Sequence, residues 1–230
     1  NSQLGELFSK AVRKIHDKGL RAVIAPHAGY VFSGRVAASA FNQIPENADY
    51  ERVFVLASSH QFRFRGAAVF DSGNYETPLG EIEVDKKLAG ELLESEKIFC
   101  RNDDAHLYEH SLEVQLPFLQ YKLKKFLLVP LILGTNSSSD CEKIARALKP
   151  WFKPENLFVI SSDFSHYPSY EDAVENDLAT AEAICLNNPT ELLRVLEKNE
   201  KKSIRQLVTS LCGWTSVLTM LYMTENMEAD

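Results

Sequence analysis

Apolar positions along this chain follow two rhythms. Leu4, Leu7, Phe8, Val12 and Ile15 recur at helical spacing, which predicts an amphipathic helix over Leu4 to Ile15 that ends near Gly19. Elsewhere the apolar residues come in short, nearly uninterrupted runs, as in strands covered on both faces. These runs are Ala22 to Ala25, Val53 to Ala57, Ala67 to Phe70, Phe126 to Leu133 and Leu157 to Ile160. Helical spacing returns between them at Gly34 to Gln43, Asp85 to Glu94, Ser111 to Lys122, Ser139 to Leu148, Tyr170 to Leu186, Pro189 to Lys198 and Val208 to Met223. Strand and helix alternate, so the expected fold is α/β, with a mostly parallel central sheet and helices on both faces. No repeat and no Pro-, Gly- or Ser-rich linker divides the chain, and a single domain over residues 1–230 is expected.

Composition narrows the field. With 230 residues, 45% of them hydrophobic, the chain has enough apolar surface for one sizeable core, so disorder is excluded and no structural metal or disulfide is required for folding. A metal, if bound, would serve chemistry. Twenty-five basic against 32 acidic residues give a net charge of −7, which argues against a nucleic-acid groove. The longest apolar run contains Pro130 and falls far short of the ~20 residues of a membrane helix, so no membrane partner is expected. Cys100, Cys141, Cys185 and Cys212 form no Cys-x-x-Cys pair, and the N-terminal Asn-Ser-Gln-Leu has no basic or apolar signal region. A reducing cytoplasm is the expected compartment.

In open α/β sheets, sites form beyond the carboxyl ends of the strands. Three predicted strands run into polar motifs there: Pro26-His27-Ala28-Gly29-Tyr30, Ser58-Ser59-His60 and Ser161-Ser162-Asp163-Phe164-Ser165-His166. One histidine after a strand ordinarily makes a single loop hydrogen bond, but here half of the chain's six histidines fall at such ends. If the ends are neighbours, His27, His60, His166 and Asp163 share one pocket suited to a divalent transition metal or to acid/base catalysis. Asp163 and His166 are three apart and would pair if the intervening turn is helical.

The segment Asp103 to Glu113 reads first as helix starts with acidic first turns, and alternatively as a second contribution to the pocket through His110 and Glu113. It matches neither zinc-protease histidine motif. Cys212 is expected at the start of the last long helix, where it would be the most reactive or metal-competent cysteine. The chain has no Gly-x-Gly-x-x-Gly, Walker-type or Gly-x-Ser-x-Gly motif.

Taken together, Ala25-Pro26-His27-Ala28-Gly29-Tyr30, Ser59-His60, Glu109-His110-Ser111-Leu112-Glu113-Val114-Gln115-Leu116-Pro117, the 161–166 segment and Cys212-Gly213 resemble the motifs of the Memo family in order and spacing. The resemblance covers roughly residues 20 to 220. It implies the fold of the class III extradiol dioxygenases, non-haem iron enzymes that open catechol rings. It also implies one transition-metal ion on His27, His60 and Cys212, with Cys212 standing where those enzymes carry a carboxylate. Iron is the first choice, with copper(I) or zinc as alternatives. Asp163 and His166 match pocket residues, His166 being the implied acid/base group. The implied reaction is metal-dependent oxidation of, or oxygen insertion into, a small molecule. Two alternatives follow from the same pocket: a non-catalytic adaptor for a peptide or phosphopeptide, and a zinc-dependent hydrolase. Relative to the family pattern, the chain is expected to lack an Ala-Gly-Ser-aromatic-Tyr segment before the first helix and further strands after the last one.

Overall fold

The apolar runs form five strands of a six-stranded sheet, in a computed structural model that describes residues 2–13 and 19–227. In chain order the elements are α1 (Ser2–Ser9), β1 (Ala22–Ala25), α2 (Tyr30–Phe41), β2 (Arg52–Ser58), β3 (Ala67–Val69), β4 (Tyr75–Thr77), β5 (Gly80–Ile82), α3 (Lys86–Ser95) and β6 (Phe99–Cys100). They continue with α4 (Asp103–Leu107), α5 (His110–Glu113), α6 (Leu116–Lys122), β7 (Leu127–Leu133), α7 (Ser138–Leu148), β8 (Asn156–Ser161), α8 (Tyr170–Cys185), α9 (Pro189–Lys201) and α10 (Trp214–Thr224).

The sheet order is β1-β8-β2-β7-β3-β6, and every pairing is parallel except β3 against β7. The expected mostly parallel sheet is therefore observed. Because side chains alternate along a strand, each inner strand feeds two cores. Phe54, Leu56, Phe158 and Ile160 face α7 and α10, whereas Val53, Val55, Leu157 and Val159 face the layer of α1, α2 and α6. Phe54 stacks on Phe158 with ring centroids 4.4 Å apart at the centre of the first layer.

Four local readings differ from expectation, each for a physical reason. The first helix stops at Ser9, where the Val12 amide turns to donate to Ser39 Oγ of α2; residues 14 and 15 of its expected span lie outside the described residues. The expected helix Ser111 to Lys122 is broken into α5 and α6, because Pro117 has no amide to donate and its ring would meet the carbonyl of Glu113. The last helix starts at Trp214 rather than Val208, since the Val208 amide donates to the His166 carbonyl and the Cys212 amide to the Asp163 carbonyl. Lastly, the β4–β5 hairpin and β6 were not anticipated, being strands of only 3, 3 and 2 residues.

The expected outcome of Phe54→Ala is a loss of about 3–5 kcal/mol of stability, because it opens a void beside Phe158 in a fully buried core. Urea unfolding monitored by circular dichroism measures it, and an unchanged midpoint would contradict the packing.

Candidate metal centre

The pairing register brings the polar motifs together. Ala25 of β1 and Ala57 of β2 both lie opposite Ser161 of the intervening β8. His27, Asp163 and His60 follow these level positions by two or three residues and so emerge on one edge of the sheet. The His27 and His60 rings are 5.1 Å apart between centroids, and a third imidazole, His110 at the start of α5, lies 5.7 Å from His27 and 5.1 Å from His60. Ligand-capable nitrogens of all three fall within 4.8 Å of one another, a spacing that could hold a metal ion.

Each of the first two imidazoles is oriented from behind. The Ser161 hydroxyl donates to the Ser111 carbonyl at 2.6 Å, so its oxygen is left to accept from Gln115 Nε2 at 2.9 Å and from His27 Nδ1 at 2.9 Å. His27 Nδ1 therefore carries the proton, and Nε2 presents its lone pair to the site. The ring is only 1% exposed, and burial drives its pKa down to about 4 despite the nearby Asp163 carboxylate. His27 is thus held neutral, the form that ligates metals.

His60 is held differently. Its Nδ1 donates to Glu109 Oε1 at 2.9 Å and its backbone amide to Glu109 Oε2 at 2.7 Å. The buried Glu109 also accepts from the Ser111 amide at 3.1 Å and so caps α5. Burial alone would raise the Glu109 pKa, but the hydrogen bonds from His60 and Ser111 outweigh it and bring it to about 2. The opposite end of His60, Nε2, lies 2.8 Å from Cys212 Sγ, and the sulfur together with Glu109 draws the imidazole up to about 10. The sulfur is also 3.4 Å from His27 Nε2.

Asp163 and His166 complete the surroundings. Asp163 Oδ1 accepts from the His27 and Ala28 amides at 2.8 and 3.2 Å, while Oδ2 lies 3.6 Å from both His27 Nε2 and His166 Nε2. The His166 backbone is pinned to the 208–209 segment through both its amide and its carbonyl. Cys212 stands two residues before α10. Behind it, Gly213 packs so tightly on the end of β8 that a Cβ there would sit 2.3 Å from the Ser161 carbonyl oxygen. A larger residue would push the sulfur off the site.

The structure thus brings together His27, His60, Cys212, Asp163 and His166, all singled out in the sequence, and adds Glu109, Ser161 and Gln115 as the groups that fix the rings. Of the Asp103 to Glu113 segment, His110 joins the imidazole cluster. His106 does not: its Nε2 donates to the Ala68 carbonyl at 3.2 Å and its Nδ1 accepts from the Tyr75 hydroxyl at 2.8 Å. The adjacency of Glu109 and His110 was visible in the sequence, but nothing there showed that the carboxylate reaches back to His60.

Comparison with known proteins gives the family and the fold. The family model described as Memo-like protein matches residues 1–230. The chain belongs to the Memo family. A MEMO1 family protein of Sulfurisphaera tokodaii is 32% identical over 207 residues, covering 88% of this chain and 70% of that protein. The memo-1 homolog of Caenorhabditis elegans is 33% identical over 224 residues, covering 90% of this chain but 61% of its own length. This Memo chain also shares its fold with the crystal structure of an uncharacterised Escherichia coli K12 protein, at a TM-score of 0.63, 15% identity and 90% coverage of both chains. No helix among the described residues of the Memo chain is long and apolar enough to cross a membrane.

The ionisation pattern sets the pH response. Burial lowers His27 and His106 from 6.5 to about 4, so the unfolded chain takes up protons in that interval that the folded chain refuses. Stability present above pH 6.5 is therefore lost as pH falls, and Glu109 extends the loss from 4.5 toward about 2. The raised pKa of His60 works in the other direction: its contribution is complete below pH 6.5 and is lost as pH rises toward about 10. The expected result for chelator-treated protein is a urea midpoint that is highest near pH 6.5 and falls on both sides. A flat profile from pH 6.5 down to about 4 would contradict two buried neutral imidazoles.

Proposed function

We propose that this Memo protein binds one transition-metal ion through His27 Nε2, His60 Nε2 and Cys212 Sγ, and that the centre serves oxidation chemistry on a small molecule. The observation that carries the reading is the convergence of two Nε2 atoms on one sulfur, with both Nδ1 atoms already committed to Ser161 and Glu109. The donor set fits an ion. Ligands bound tetrahedrally at ~2.1 Å for nitrogen and ~2.3 Å for sulfur lie about 3.6 Å apart. His27 Nε2 and Cys212 Sγ, at 3.4 Å, nearly meet that spacing, and His60, at 2.8 Å, would need to withdraw by less than the length of a bond. Two imidazoles and a sulfur suit iron, and the sulfur makes copper(I) and zinc the competing choices.

A bound ion of this kind would supply Lewis-acid and one-electron chemistry. The protein's own groups would do the rest. Asp163, fixed by two backbone amides, lies equally near His27 and His166. It would orient the partly exposed His166 ring, which would take a proton from a substrate hydroxyl. A positioned base of this sort typically contributes ~10² to 10⁴ in rate. His110, with 57% of its side chain exposed, borders the same opening and offers an additional donor to an incoming ligand.

Anaerobic uptake of iron(II) and cobalt(II), read by elemental analysis and electron paramagnetic resonance, tests the centre. One ion per wild-type chain is expected, with affinity weakened more than about tenfold by His27→Ala and by Cys212→Ser. Cobalt bound with the sulfur gives an intense charge-transfer band, which Cys212→Ser abolishes. Equal uptake by wild type and both variants would overturn the proposal; loss only with His110→Ala would replace the sulfur by the third imidazole.

A further inference from the structure

Outside the metal cluster the protein has a cleft of about 330 Å³ between the β4–β5 hairpin, α4 and α5. None of His27, His60, His110 or Cys212 lines it. Its size falls at the lower end of the ~300–1,000 Å³ typical of small-ligand sites. The inner wall is aromatic. Phe70 packs edge-on to Tyr75 with centroids 5.5 Å apart and lies 5.4 Å from the His106 ring. The wall is also preset, because the Tyr75 hydroxyl donates to His106 Nδ1 and the opposite ring nitrogen donates to the Ala68 carbonyl.

The rim has the opposite character. Glu76, Asp103, Asp104 and Glu113 all border the cleft, and none of them forms an ion pair with a Lys, Arg or His among the described residues. Asp103 accepts one hydrogen bond, from Ser72 Oγ at 2.7 Å. The nearby cation, Arg101, is occupied by a two-pronged contact to Asp71, its closest approach 2.7 Å. His106 adds no charge, since burial holds it down to about 4. A small concave space with aromatic walls and four carboxylates outside any ion pair repels anions and gives a neutral molecule no charge attraction. An organic cation with an apolar body gains from both surfaces, because its body packs on the aromatic wall while the carboxylates attract its charge.

We propose that this cleft is a binding site for a small organic ammonium compound with an apolar body, its charged group at the Asp104–Glu113 rim and its apolar part against Phe70 and Tyr75. The site is independent of the metal reading and needs no ion. It would give the protein a second ligand class, joined to the metal centre through α5, which carries His110 at one end and Glu113 at the other.

Nuclear magnetic resonance titration of the metal-free full chain with 2-phenylethylammonium, and with 2-phenylethanol as its neutral counterpart, tests this. The expected result is saturable shifts concentrated at Tyr75, His106 and Glu113, with the amine bound at least about tenfold more tightly than the alcohol. The exposed double substitution Asp104→Asn with Glu113→Gln should weaken the amine by about tenfold while leaving the alcohol and the urea midpoint unchanged. Equal binding of amine and alcohol, shifts spread over the acidic surface at large, or no shift up to millimolar amine would each overturn the proposal. Because metal uptake does not enter the readout, a failed metal centre leaves this result interpretable.

Discussion

The site depends on a single geometric constraint: β1 and β2 are both hydrogen-bonded to β8, in parallel, with Ala25 and Ala57 level at Ser161. Parallel pairing fixes the direction in which each chain leaves the sheet, and level register fixes the height. Two histidines separated by 33 positions, and an aspartate more than 100 positions further on, therefore leave the sheet within a few ångströms of each other. The two cores behind the strands hold this register, since a slip of one residue would turn Phe54 and Phe158 away from the layer they fill.

Ser161 then links fold to chemistry. It is the β8 residue that sets the register, and its hydroxyl also gathers three partners: the Ser111 carbonyl, the Gln115 amide and His27 Nδ1. The carbonyl takes its only proton, so the other two must donate to it. This proton arithmetic, rather than proximity, decides that His27 shows a lone pair to the site. Glu109 fixes the His60 ring through Nδ1 and also caps α5, so the short helix that supplies His110 is built by the group that orients His60. Pro117 contributes indirectly: by ending α5 early it frees that helix to stand across the strand ends rather than continue into α6.

The same α5 separates two environments of opposite character. On one side imidazole nitrogens and a sulfur converge. On the other, exposed carboxylates surround an aromatic wall. The first favours a metal cation that shares lone pairs, and the second an organic cation held by charge and apolar packing. The pairings of His106 with Ala68 and Tyr75 keep its nitrogens out of the metal cluster and commit the ring to the cleft wall.

The sequence by itself was sufficient for the alternation of strands and helices, for the buried runs of β2, β7 and β8, and for the placing of His27, His60 and Asp163 just beyond strand ends. These features are local: burial on both faces leaves an apolar run, and a strand end is followed by polar residues within a few positions. Only the tertiary structure decided the rest. The late start of α10, the reach of Glu109 to His60 and the gathering of unpaired carboxylates around Tyr75 all rest on contacts between segments far apart in the chain. A residue's type states which bonds it can make, but which partner it meets is set by the register of the sheet and by the packing of the helices against it.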